Sequence, residues 1–201
     1  MRRYVSGVTT LLLARHGETD WNSERRWQGH ADRPLNDAGL AQARELADFL
    51  ADAPIAAIYS SDLARARQTA EVVAAARALP LELDTGLREV DVGEWSGLSI
   101  EEAEQKYPEG FRRWQDGLHG WDEGESYEQM RERVVAAVLA IAERHPGETI
   151  LIVTHGGSIR ACRASADGLD YATSRKTDLR STANCDVVAL HAAGGRLRRA
   201  D

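Results

Sequence analysis

The run Thr149–Thr154, TILIVT, is an unbroken apolar stretch that stops at His155-Gly156-Gly157. A strand that is apolar at every position has no face to give to water, so it belongs in a sheet covered on both sides. Thr10–Ala14 has the same character and stops at Arg15-His16-Gly17. Ile55–Tyr59 and Leu81–Leu83 are expected as further strands. Helical patterns lie between and after them. Asn36–Leu50 has apolar residues at helical spacing, with Asn36 placed to cap it. Asp62–Ala76 is expected as a helix with Asp62 near its start, where a carboxylate suits the dipole. Ser126–His145 carries a stripe of Val134, Val138, Ile141 and Ala142, and Ser158–Ala166 follows the last apolar strand. Short helices are expected at Glu101–Tyr107 and Phe111–Asp116. Asp186–His191 and Arg196–Arg199 straddle a Gly-Gly turn and should form a hairpin, its last strand near a sheet edge. Strands alternating with helices predict a mostly parallel sheet, and ligands then bind where strands end and helices begin.

The chain has 201 residues, enough for one well-buried core and short for two ordinary domains. No repeat, low-complexity tract or linker interrupts it, so one domain over 1–201 is expected. The formal net charge of −7 argues against nucleic-acid or acidic-membrane partners, which want a basic surface. It leaves an anionic substrate open, because a few arginines in one cleft can dominate the local field. No stretch approaches the roughly 18 apolar residues of a membrane span. Arg2 and Arg3 precede the apolar run Leu11–Ala14, which is too brief for a signal-peptide core, so a cytoplasmic location is expected. Cys162 and Cys185 lack metal-ligand spacing and read as ordinary buried thiols.

Four constellations carry chemistry. At Leu12–Thr19 a buried strand delivers Arg15 and His16 to its end, and Gly17 permits a sharp turn and close ligand approach. A neutral imidazole is a competent nucleophile toward phosphorus near pH 7, and an adjacent guanidinium suits forked binding of phosphate oxygens. Ile152–Gly157 repeats the pattern, ending in a helix start whose free N–H groups form a natural anion site. Ser60–Ala70 holds Arg65 and Arg67, two apart on a helix, so at most one easily faces a cleft. Leu87–Gly97 is a loop rich in carboxylates and glycine. A carboxyl group there could protonate a leaving oxygen, and spacing alone does not choose among Glu89, Asp91 and Glu94.

The ordered runs LLLARHGETDWN, YSSDLARARQTA, REVDVGEWSGL, GES at Gly124–Ser126 and VTHGG together resemble the histidine phosphatase superfamily, which includes the cofactor-dependent phosphoglycerate mutases. The match runs from about residue 10 to about residue 160. The resemblance implies a three-layer α/β/α sandwich of phosphoglycerate mutase type and no metal ion or other cofactor. It implies His16 as the nucleophile that takes the phosphoryl group. Arg15 and Arg65 would clamp the phosphoryl oxygens, His155 would complete the pocket, and Glu89 would donate the proton. Asn22 would also contact phosphate, and Gln28 and Gly29 would lie at the rim, with Gly156 beside His155. Arg67 has no such role and is expected at the surface or in packing.

Phosphatase and mutase share the first half-reaction. Mutases of this family follow the glutamate with Arg-His-Tyr-Gly, whereas Glu89 is followed by Val90, Asp91, Val92 and Gly93. An acid at Asp91 should repel a substrate carboxylate, so a phosphomonoesterase acting on a small phosphorylated metabolite is favoured over a mutase. A silent phosphate-binding module is disfavoured because every motif residue is retained. A metal hydrolase is disfavoured because no local ligand pair exists. Specificity is expected between Ser99 and Glu128, as a lid or as aromatic packing by Tyr107, Phe111, Trp114 and Trp121. His119, Asp122 and Glu123 would meet sugar hydroxyls if the segment is a lid. The length resembles broad-specificity phosphatases and those acting on ribazole phosphate or glucosyl-phosphoglycerate. Monomer and homodimer are both open.

Overall fold

The computed structural model describes residues 7–177 and 182–200. Arg2, Arg3 and the extreme ends of the expected 1–201 domain lie outside them. In chain order the elements are β1 (Thr9–Arg15), α1 (Asp20–Ser23), α2 (Asp37–Phe49), β2 (Ile55–Ser60), α3 (Ala64–Arg77), β3 (Leu81–Leu83), α4 (Ile100–Lys106), α5 (Pro108–Gln115), α6 (Tyr127–Arg144), β4 (Thr149–Thr154), α7 (Gly156–Ala166), α8 (Tyr171–Arg175), β5 (Val187–Ala193) and β6 (Arg196–Arg199).

The strands form one sheet in the order β3-β2-β4-β1-β5-β6. The first four are parallel, and β5 and β6 return antiparallel, which puts β6 at the edge. Successive side chains of a strand point to opposite faces. Leu11, Leu13, Ile150 and Ile152 therefore meet α6 and α7 through Val134, Val138, Ile141 and Ile159. Ala14, Leu151, Val153 and Ile58 meet α2 and α3 through Leu46, Ala47, Ala70 and Val73. The result is a three-layer α/β/α sandwich, with β1 and β4 buried on both faces as their unbroken apolar runs require.

The helix ends follow local chemistry. Asn36, Ser99 and Ser126 cap α2, α4 and α6 by accepting from backbone amides. Three starts differ from expectation by two residues or more. Helix α5 begins at Pro108, three residues before Phe111, because a proline suits the first turn of a helix. Helix α3 begins at Ala64, whose N–H is bound by the Asp32 carboxylate at 2.6 Å. Asp62 is instead held by Arg88, with Nε–Oδ1 at 2.7 Å, which keeps its carboxyl below the usual range. Helix α7 begins at Gly156, two residues earlier than Ser158, because His155 itself occupies the N-cap. Helices α1 and α8 are single turns, too short to give a periodic signal in the sequence.

The segment between β3 and α6 is packed by its rings. Trp95, Phe111 and Trp121 are buried in the main core, with Trp27, Tyr107 and Trp114 packed on it. Trp121 and Phe111 thus serve packing, and Trp114 alone of the four expected rings also reaches the cavity described next. Cys162 is fully buried, and Cys185 is half-buried.

Candidate active site

Strands β1 and β4 run side by side with Arg15 opposite Thr154. The His16 amide bonds the Thr154 carbonyl at 2.9 Å, so His16 and His155 leave the sheet together. Their ring centroids are 5.2 Å apart. The His16 ring is 3% exposed, and its Nδ1 lies 2.7 Å from the Gly17 carbonyl. A carbonyl only accepts, so Nδ1 carries the proton and Nε2 keeps its lone pair. Arg65 agrees with this tautomer, because its Nε donates to His16 Nε2 at 3.3 Å. Gly17 is needed where it stands, since a Cβ would fall 2.5 Å from the Gly39 carbonyl oxygen.

Arg65 is 1% exposed and is locked by two further bonds, Nη1 to the Ala31 carbonyl and Nη2 to the Gly29 carbonyl, each 2.9 Å. Burial pushes its guanidinium down to about 10, opposed by the Glu89 and Asp32 carboxylates, so it stays charged at neutral pH. Arg15 donates from Nη1 to the Thr182 carbonyl at 2.8 Å, and its buried Nε has no partner. Burial, then Arg65 and Arg15, holds the His16 imidazole well below its ordinary range. His155 is lowered likewise, by burial first, then by Arg65 and His16. Both rings are neutral at pH 7. His155 Nε2 lies 2.9 Å from Ser61 Oγ, and its buried Nδ1 has no partner.

Glu89 enters from the loop after β3. Its Oε2 accepts from the Gly157 amide and its Oε1 from the Val90 amide, both at 2.9 Å. The loop itself is tied down through its carbonyls. Arg133 donates to Gly86 and Arg88 through Nη1 and to Glu89 through Nη2, at 3.0 to 3.1 Å. Glu125, the acid of the GES motif, holds Arg133 by a two-point bridge of 2.8 and 2.6 Å. Ser158 Oγ adds a bond to the Arg88 carbonyl, and Thr154 Oγ1 one to that of Leu87.

Arg15, His16, Asn22, Gln28, Gly29, Arg65, Glu89 and Gly156 all line one cavity of about 410 Å³. His155 stands behind His16, fully buried, and is not on that wall. Asn22 Oδ1 accepts from Thr19 N and Oγ1 at 3.1 Å, and Thr19 Oγ1 also lies 3.1 Å from Gln28 Oε1. Using Oδ1 inside the α1 cap leaves the Asn22 amide nitrogen for the cavity. The left-handed backbone of Gly29 (φ +49°) places its carbonyl on Arg65, and a Cβ there would meet Val92 at 2.6 Å. Arg67 lies outside, paired with Glu71 at 3.0 Å.

Two expectations are corrected. Asp91 does not face the cavity: Val90 and Val92 line it, while Asp91 turns back to accept from the Gly93 amide at 3.1 Å. An aspartate that bonds the amide two residues on fixes its own direction away from its neighbours' side. His119, Asp122 and Glu123 are also off the wall. Asp122 pairs with Arg113 at 2.5 Å, and the Glu94 carboxylate binds the Asp122 and Glu123 amides. The cavity has further walls that no motif marked, among them Arg25, Trp27, Tyr127, Arg160 and Tyr171. Among the described residues no three His, Cys, Asp or Glu side chains gather as a metal would require.

A model of the histidine phosphatase superfamily (branch 1) matches residues 11–200, so the chain belongs to that superfamily. Phosphoglycerate mutase-like protein 4 of Arabidopsis thaliana is 41% identical over 156 residues, covering 75% of this chain and 68% of the relative. The metal-independent phosphoserine phosphatase of the same plant is 40% identical over 162 residues, covering 78% and 68%. The solved structure of Bacillus stearothermophilus YhfR superposes with a TM-score of 0.88 at 36% identity, covering 96% of this chain and 95% of that one.

Proposed function

We propose that this protein is a phosphomonoesterase that hydrolyses a small phosphorylated metabolite through a phosphohistidine at His16. The observation that carries the reading is the bond from His16 Nδ1 to the Gly17 carbonyl, 2.7 Å long. It directs the lone pair to Nε2, beside Arg65, at the wall of a cavity that also holds Arg15 and Glu89.

In the first step His16 Nε2 attacks phosphorus as the P–O bond to the leaving group breaks. Arg15 and Arg65 bind the equatorial oxygens, whose charge they neutralise. Glu89 delivers a proton to the departing alkoxide. In the second step water attacks the phosphohistidine, Glu89 takes its proton, and inorganic phosphate leaves. General acid–base work of this kind contributes about 10²–10⁴-fold. His155 stays neutral beside His16 and supports its placement. The chemistry is assigned to these side chains and uses no metal or other cofactor.

The mutase reading differs only in what takes the phosphoryl group. Val90 and Val92 stand where mutases place cationic and aromatic side chains, which favours water as acceptor. Release of inorganic phosphate from a panel of phosphate esters, unaffected by EDTA, tests the reading. Exchange of 2- and 3-phosphoglycerate in the presence of 2,3-bisphosphoglycerate, without phosphate release, would reverse it. The relative named as a phosphoserine phosphatase makes phosphoserine a first ester to try.

A further inference from the structure

The cavity holds more positive charge than one phosphoryl group calls for. Arg15 and Arg65 already flank His16, which balances a phosphoryl dianion. Arg160 lines the same cavity, half-buried, on α7. It follows Gly156 by four residues, hence by about one turn or 6 Å along the same face of the helix. Its Nη1 donates to the Ser174 carbonyl at 2.9 Å, which steadies the side chain through α8. That use leaves the Nε and Nη2 edge of the guanidinium, the fork that binds a carboxylate by two parallel bonds. Among the described residues no carboxylate forms an ion pair with Arg160, in a chain whose formal charge is −7.

The surroundings favour an acid too. Tyr171 stacks on Tyr127 at 4.5 Å, and both rings line the cavity, so the middle of a ligand would cross an apolar wall. Asp91, the one acid that argued against a substrate carboxylate, faces away. Glu89 remains as the acid on the wall, and a second anion in this space needs a cation to offset it.

We propose that Arg160 is the seat of a substrate carboxylate, and that the preferred substrates are short phosphorylated organic acids. The inference rests on the phosphomonoesterase reading and adds the substrate class to it. A Cβ on Gly156 would lie 3.6 Å from Arg15 Nε, so the start of α7 sits beside the phosphate clamp and Arg160 follows one turn along the same cavity wall. One guanidinium edge matches one carboxylate; Arg25 and Arg26 line the cavity as well, and Arg26 is already paired with Glu24 and Glu102.

Matched esters provide the test. O-phosphoserine and O-phosphoethanolamine differ only in the carboxylate, as 3-phosphoglycerate and glycerol 3-phosphate differ at the corresponding carbon. The wild type should favour the acid of each pair by about 10–10²-fold in kcat/KM, the range of a charge-assisted hydrogen-bonded pair. Arg160→Met should bring the ratio near unity, mainly through KM for the acids, and Arg160→Lys should restore part of it. An unchanged ratio in both variants, or an equal loss on both esters, overturns the subsite. A wild type that hydrolyses p-nitrophenyl phosphate yet prefers the uncharged partners overturns it too, while the phosphatase reading stands. No phosphate from any ester overturns both.

Discussion

The Gly157 amide donates to Glu89 Oε2 at 2.9 Å, joining the loop after β3 to the first turn of α7. The contact leaves no room for a side chain at Gly157. A Cβ on Gly157 would lie 2.3 Å from Glu89 Oε1. Gly157→Ala should therefore move the Glu89 carboxylate off its place while leaving the helix intact. Alanine is favoured over glycine in a helix by roughly 0.5–1 kcal/mol, so thermal stability should hold or rise slightly. The rate should fall by about 10²-fold or more, the low end of general acid–base catalysis. Steady-state kinetics beside a melting curve checks both halves. A variant of full activity would mean that the carboxylate need not sit there.

Arg133 and Glu125 should act on the reaction without touching substrate. Arg133 binds three successive parts of the Glu89 loop and draws its own direction from Glu125. Arg133→Met removes those bonds and leaves Glu125 partly buried without its partner. The cost should be about 2 kcal/mol in urea denaturation, since both side chains keep some contact with water. At temperatures where the variant is folded, kcat should drop more than KM rises, and the alkaline and acid limbs of the rate profile should move. A loss of stability with an unchanged rate profile would reduce the pair to a structural tie.

The two buried imidazoles set a pH dependence. Burial and the neighbouring guanidiniums lower both His16 and His155 well below the ordinary 6.5. Below pH 6.5 the unfolded chain takes up protons that the folded chain refuses. Stability from this source is thus fully present above pH 6.5 and is lost as pH falls from 6.5 toward the lowered folded values. With two such groups the slope approaches about 2.7 kcal/mol per pH unit. Urea midpoints at pH 7.5, 6.5 and 5.5 should show the fall beginning near 6.5. A flat response would place the rings in contact with water. The same lowering keeps His16 nucleophilic in mild acid, so kcat/KM should show no loss at an ordinary histidine pKa.

The reach of the sequence followed the kind of signal each residue gives. His16 and His155 were legible because an apolar strand ending in His-Gly marks both a place in a sheet and a chemistry. Arg65 was legible from its position just after β2. Arg160 and Arg133 were not, because an arginine on an amphipathic helix looks the same whether it meets solvent or a cleft. Only the packing of α7 and α6 against the sheet decides that. Asp91 was misread for a related reason: a loop has no fixed period, and its side chain follows a local bond to Gly93. The aromatic rings between Tyr107 and Trp121 gave apolar weight but no direction, and most of them fill the core.

The covalent step is tested most directly by trapping the phosphoenzyme. Wild-type protein mixed with a 32P-labelled phosphate ester and quenched within milliseconds in alkali should carry label that survives base and is released by acid, as phosphohistidine is. The label should map to His16 and vanish in His16→Ala. Turnover by the wild type with no labelled protein at any quench time, or an undiminished rate in His16→Ala, would contradict the account.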